Sequence, residues 1–143
     1  MKKYKIYLDF DGTCVEFDYP QIGQANVGCI EVIEKLQQAG HTIILNTYRV
    51  ECKDGTLEQA MEWFENAWNY LADEERRRKK DLKLKLPFEC SSYKRHPGCW
   101  DWDYFDTYNL ILIDDECKNI PLINYMVDWQ ELDKQFHAHN LYY

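Results

Sequence analysis

Two apolar runs in this chain stop abruptly on acids. Tyr4 to Asp9 (YKIYLD) leads into Phe10-Asp11-Gly12-Thr13, and Asn109 to Asp114 (NLILID) leads into Asp115-Glu116. A short apolar run bounded by polar residues reads as a strand buried on both faces, the pattern of a parallel sheet covered by helices. In an open sheet of that kind, ligands bind beyond the carboxyl ends of the strands. If these two strands are neighbours, four carboxylates converge at one edge of the sheet.

The remaining segments support an alternating α/β order. Residues 17–26 carry Pro20 and Gly23 and read as a loop. Val27, Ile30, Ile33, Leu36 and Ala39 fall near helical spacing, and Gly40 ends the helix. Thr42 to Thr47 (TIILNT) predicts a second strand. Asp54-Gly55 marks a turn, and Thr56 with Gln59 fits a capping box. Leu57, Ala60, Met61, Phe64, Trp68 and Leu71 then share one helix face. Pro87 to Cys90 reads as a third strand and Tyr125 to Trp129 as a last one. Strands alternating with helices predict a central parallel sheet with helices on its faces. The 143 residues fit one domain, 1–143, with an insert of unassigned structure at 73–108.

The formal net charge of −8 disfavours non-specific binding to nucleic acid or an anionic membrane. The cations cluster: Arg76, Arg77, Arg78, Lys79 and Lys80 follow three acids. That run reads as a solvated helix end complementing the dipole, or as a phosphate-attracting rim through which a polyanion could touch the protein. Leu110 to Ile113 is the longest unbroken apolar run, too short to span a bilayer. The basic start is interrupted by Asp9 and Asp11, which excludes a signal-peptide core and predicts a cytoplasmic protein. In that compartment the six cysteines are expected as free thiols. Cys90, His96 and Cys99 match no standard zinc spacing. His96, His137 and His139 show no ligand spacing either.

Four clustered carboxylates repel one another unless a cation neutralises them. An oxygen-only donor set suits a hard ion, with Mg2+ the natural candidate. A carboxylate beside a metal can act as nucleophile on phosphorus. A second acid two residues on can protonate the leaving oxygen and later deprotonate water. Gly12 lets the backbone turn sharply between them.

These residues resemble a known family. Ile6-Tyr7-Leu8-Asp9-Phe10-Asp11-Gly12-Thr13 looks like motif I of the haloacid dehalogenase (HAD) superfamily of phosphotransferases. Asn46-Thr47-Tyr48-Arg49 looks like motif II, and Leu110-Ile111-Leu112-Ile113-Asp114-Asp115 looks like motif IV. The resemblance implies a three-layer Rossmann-like fold of the capless bacterial or phage type, because the segments between motifs leave no room for a large cap. It implies that Asp9 is the nucleophile and a direct Mg2+ ligand. Asp11 would be the general acid/base, its carbonyl reaching the metal. Asp114 and Asp115 would complete the metal set. Thr47 would donate its hydroxyl to the phosphoryl oxygens, with Tyr48 and Arg49 beside it at the substrate. The charge-offsetting lysine of motif III would be Lys94, with Lys83 and Lys85 as alternatives and Arg49 or Arg95 as substitutes.

The implied activity is Mg2+-dependent hydrolysis of a small phosphomonoester through an aspartyl-phosphate on Asp9. The alternative is a catalytically weak protein of the same fold that binds a phospho-ligand or a partner. A dehalogenase is disfavoured, since that chemistry does not require Asp11. Substrate identity and oligomeric state are left open by these residues. The aromatic run Trp100 to Phe105 is too charged for a core segment. It reads as a flap over the site, a partner patch or a surface loop packed on the domain.

Overall fold

Strand β1 (Lys5–Leu8) pairs in parallel with β2 (Thr42–Leu45) on one side and with β4 (Leu110–Ile113) on the other. Strand β3 (Glu89–Cys90) pairs in parallel with the far edge of β2. This computed structural model describes residues 2–52, 54–75, 89–90 and 98–143, and among them the sheet order is β3-β2-β1-β4. The register sets Ile6 beside Ile43 and Ile111, and Leu8 beside Leu45 and Ile113. These six side chains share one sheet face, because strand side chains alternate, and all are buried. Ile44 and Leu112 are buried on the opposite face. The expected α/β class is therefore observed: a central parallel sheet flanked by helices, with no further domain among the described residues.

Helix α1 (Cys29–Gln38) packs on β2 and beside α2 (Thr56–Glu75) and α4 (Trp129–Ala138). It starts two residues later than its apolar spacing suggests. Gly28 adopts a left-handed φ of 87° at the N-cap, leaving Val27 outside the helix and 81% exposed. Gly40 ends the segment with φ 94°, as expected. The start of α2 also differs from the capping-box reading. Thr56 is already helical, and Asp54 does the capping: its Oδ1 accepts from the Thr56 N–H (3.1 Å) and O–H (2.8 Å). Those bonds hold the Asp54 carboxyl below its ordinary range.

Two expectations near the C-terminus need correction. Residues 125–129 do not extend the main sheet. Leu122–Ile123 (β5) and Met126–Val127 (β6) form a separate antiparallel hairpin, turned at Asn124 and Tyr125, both with positive φ. Asp128 then caps α4, accepting from the Glu131 N–H (3.2 Å). The run Trp100 to Phe105 packs on the domain, as one of its readings had it, but as the start of a helix and not as a surface loop or a flap. It enters helix α3 (Trp102–Tyr108), capped by Asp101, and Trp100 and Phe105 lie in the core. The indole N–H groups of Trp100 and Trp102 both donate to Gln135 Oε1 of α4 (2.8 and 2.9 Å). Phe136 meets both indoles, and His139 stacks on Trp102 at 3.7 Å. The charges that argued against a core, on Asp101 and Asp103, point to solvent. The basic run 76–80, and the stretch 91–97 with Lys94, Arg95 and His96, fall outside the described residues.

His41 ties the two chain ends together. Its Nδ1 accepts from the Tyr4 N–H (3.1 Å), and its Nε2 lies 2.8 Å from the Leu141 carbonyl. This pairing requires the neutral Nε2–H form, and burial lowers the pKa of the ring. A histidine depressed in the folded state is protonated first in the unfolded chain, so stability is lost as pH falls through its ordinary value of about 6.5. Thermal unfolding at pH 7.5 and pH 5.5 is expected to show a larger drop in Tm for wild type than for His41→Gln. Equal drops would mean that His41 carries none of the pH dependence.

Candidate acidic metal site

The register that aligns the core strands also aligns their ends. Leu8 sits opposite Leu45 and Ile113, so Asp9, Asn46 and Asp114 leave the sheet at one level. The Asp9 N–H donates to the Ile113 carbonyl (2.8 Å) and the Asn46 N–H to the Leu8 carbonyl (2.7 Å). One carboxylate oxygen from each of Asp9, Asp114 and Asp115 lies within 4.8 Å of the others. Asp9 and Asp114 are buried and Asp115 is half-buried. Burial, reinforced by the charge on Asp114, pushes the Asp115 carboxyl up to about 6. Crowded, partly desolvated carboxylates of this kind favour an added positive charge. Three hard oxygen donors at this spacing could hold a metal ion.

The loop after β1 is shaped around that cluster. Gly12 has φ 84°, and a Cβ there would lie 2.4 Å from Asp115 Oδ2. Thr13, fully buried, joins the two acidic segments: its hydroxyl donates to Asp9 Oδ2 and accepts from the Asp115 N–H, both at 3.0 Å. The Thr13 carbonyl accepts from Asn26 Nδ2 and Trp129 Nε1, each at 2.9 Å. Asn26 also donates to the Val127 carbonyl (2.8 Å). Sequence reasoning gave none of these three residues a role. Thr13 could have been found from its place after Gly12, whereas nothing in the sequence marks Asn26 or Trp129.

The Asp11 side chain lies outside the three-carboxylate cluster. It forms a bidentate pair with Arg49, from Nε to Oδ2 (2.8 Å) and from Nη2 to Oδ1 (2.7 Å). The other Arg49 donors reach the carbonyls of Gln21 (3.0 Å), Pro20 (3.2 Å) and Thr56 (3.2 Å). All five N–H groups of a guanidinium are thus engaged, and the residue is fully buried. The expected role of Arg49 at a substrate is corrected accordingly: it has no donor left to offer. Thr47 is buried at the end of β2, and its Oγ1 accepts from the Arg49 N–H (3.3 Å), which uses a lone pair and not its O–H. Tyr48, next along, is 59% exposed. Lys94, the expected motif III cation, belongs to the stretch outside the described residues.

Fold and site together define a parallel α/β protein whose central strands end in a buried acidic cluster able to hold a metal ion. No family model and no curated protein matches the chain. Among solved structures it is similar to a conserved protein from Bacteroides thetaiotaomicron, at 25% identity and a TM-score of 0.53. The match covers 94% of this chain and 90% of that one. No helix among the described residues is long and apolar enough to cross a membrane.

Proposed function

We propose that this protein is a Mg2+-dependent phosphomonoester hydrolase of the HAD type, acting through an aspartyl-phosphate on Asp9. The observation that carries this reading is the convergence of Asp9, Asp114 and Asp115 at the carboxyl ends of two adjacent parallel strands. Asp9, Asp114 and Asp115 would hold the ion, with the Asp11 carbonyl as a further donor. When bound, Mg2+ would neutralise the cluster and draw charge from the phosphoryl oxygens.

The chain's own groups supply the remaining chemistry. An Asp9 oxygen attacks phosphorus, the ester P–O bond breaks, and Asp11 gives its proton to the departing oxygen. Water then attacks the acyl phosphate, Asp11 takes its proton, and Asp9 is released with inorganic phosphate. Thr13 fixes the Asp9 carboxylate through its hydroxyl. Thr47 is the proposed donor to the phosphoryl oxygens, and Lys94 the proposed cation that offsets their charge.

Purified chain is expected to hydrolyse p-nitrophenyl phosphate with Mg2+, to stop with EDTA and to resume on Mg2+ addition. No turnover across a panel of phosphomonoesters, with Mg2+ still raising Tm, would replace hydrolysis by ligand binding alone.

A further inference from the structure

The connection after β1 folds into a braced rim at the carboxyl edge of the sheet. Val15 bridges Ala25. The Glu16 N–H donates to the Gln24 carbonyl (2.7 Å) and the Asn26 N–H to the Cys14 carbonyl (2.9 Å). Gly23 packs on the Glu16 carbonyl with no room for a Cβ. Arg49, from the connection after β2, pins the tip through the carbonyls of Pro20 (3.2 Å) and Gln21 (3.0 Å). The Tyr19 ring lies 4.9 Å from the guanidinium, and its hydroxyl lies 3.2 Å from Cys52 Sγ. Two rings on these joined connections are nevertheless left to solvent: Phe17 at 68% and Tyr48 at 59% exposure. One exposed ring on a surface needs no explanation. Two on a fixed rim at the end of the sheet that holds the acidic cluster offer apolar contact to a ligand.

The charges around these rings are of one sign. No Lys, Arg or His occurs between Ile6 and Glu34. Glu16 and Asp18 flank Phe17, and Glu51 lies in the same short turn as Tyr48. All three acids are exposed, and no cation pairs with them among the described residues. Such a rim repels an acidic leaving group, whereas aromatic faces attract an organic cation. We propose that the substrate is a phosphomonoester whose alcohol carries an ammonium group, with Phe17 and Tyr48 as the specificity-determining residues that receive it. The proposal rests on the hydrolase reading above. The phosphoryl group goes to Asp9, and the ammonium rests against the rings. The cation gains and loses no bond; it departs with the alcohol.

The test compares phosphocholine with 3,3-dimethylbutyl phosphate, which has the same shape but carbon in place of the charged nitrogen. Wild-type kcat/KM is expected to favour phosphocholine ~10-fold, chiefly through KM. Phe17→Leu and Tyr48→Leu each keep an apolar side chain and remove a ring, and each is expected to lower that ratio ~3-fold. Both positions are exposed, so the variants are expected to fold. Glu16→Gln combined with Asp18→Asn should lower the ratio at low salt and much less at high salt, where exposed charges are screened. Equal turnover of the two esters, or a preference for the neutral one, with p-nitrophenyl phosphate still hydrolysed, would overturn the ammonium class and leave the hydrolase reading standing. A phosphocholine preference unchanged in both ring variants would overturn the roles of Phe17 and Tyr48. No turnover of any ester, p-nitrophenyl phosphate included, would overturn the hydrolase reading and this proposal with it.

Discussion

In Asp9→Asn, phosphomonoester turnover is expected to fall at least ~10³-fold in kcat/KM with the fold intact. A carboxamide is nearly isosteric with the carboxylate, and its oxygen can still accept the Thr13 hydroxyl. It is not a nucleophile toward phosphorus, so the covalent route closes. The same change removes one negative charge from three that crowd within 4.8 Å. The metal-free variant should therefore be at least as stable as wild type, while the rise in Tm on adding Mg2+ should shrink. Steady-state kinetics and thermal unfolding with and without Mg2+ read both effects. Wild-type turnover in Asp9→Asn would remove the aspartate from the chemistry altogether.

Gly12→Ala should also damage the site, by less than Asp9→Asn, although it alters no functional group. Two penalties combine. The φ of 84° disfavours an L side chain, at about 1 kcal/mol. The new Cβ would also lie 2.4 Å from Asp115 Oδ2, so Asp115 must leave its place beside Asp9 and Asp114. Displacing a ligand's support typically costs 10–100-fold in metal affinity or activity, and about that loss of Mg2+ affinity and kcat/KM is expected. Gly55 provides the control: its φ is 86°, but nothing lies within 4 Å of the Cβ it lacks. Gly55→Ala should lose stability alone. Isothermal titration with Mg2+ on both variants separates clash from strain; equal affinities would show that the Gly12 cradle is dispensable.

The parts of this fold governed by local pattern were readable in the sequence. β1, β2 and β4 are short apolar runs with polar ends, and a parallel partner on each side of β1 demands that pattern. The acidic tips followed from the same reading, because register carries strand ends to one level. Features decided by tertiary contact were not readable. A buried Arg49 looks in sequence like any arginine after a strand; only the carbonyls of Pro20, Gln21 and Thr56 make it internal. The hairpin turn at Asn124-Tyr125 was hidden because tyrosine is an uncommon choice for a positive φ. Helix α4 was missed because its buried residues are only Trp129, Leu132 and Phe136 in an otherwise polar segment. The aromatic run misled because its acids alternate with tryptophans, which hides that a helix turns the two kinds apart.

The indole of Trp129 reaches back across 116 positions to the carbonyl of Thr13, the residue that braces Asp9 and Asp115. A ribosome delivers Thr13 116 positions before the indole that holds its carbonyl. A nascent chain released before α4 has emerged would hold the N-terminal acids without the anchor of their loop. The loop that carries the N-terminal acids thus gains this anchor only once Trp129 has been made.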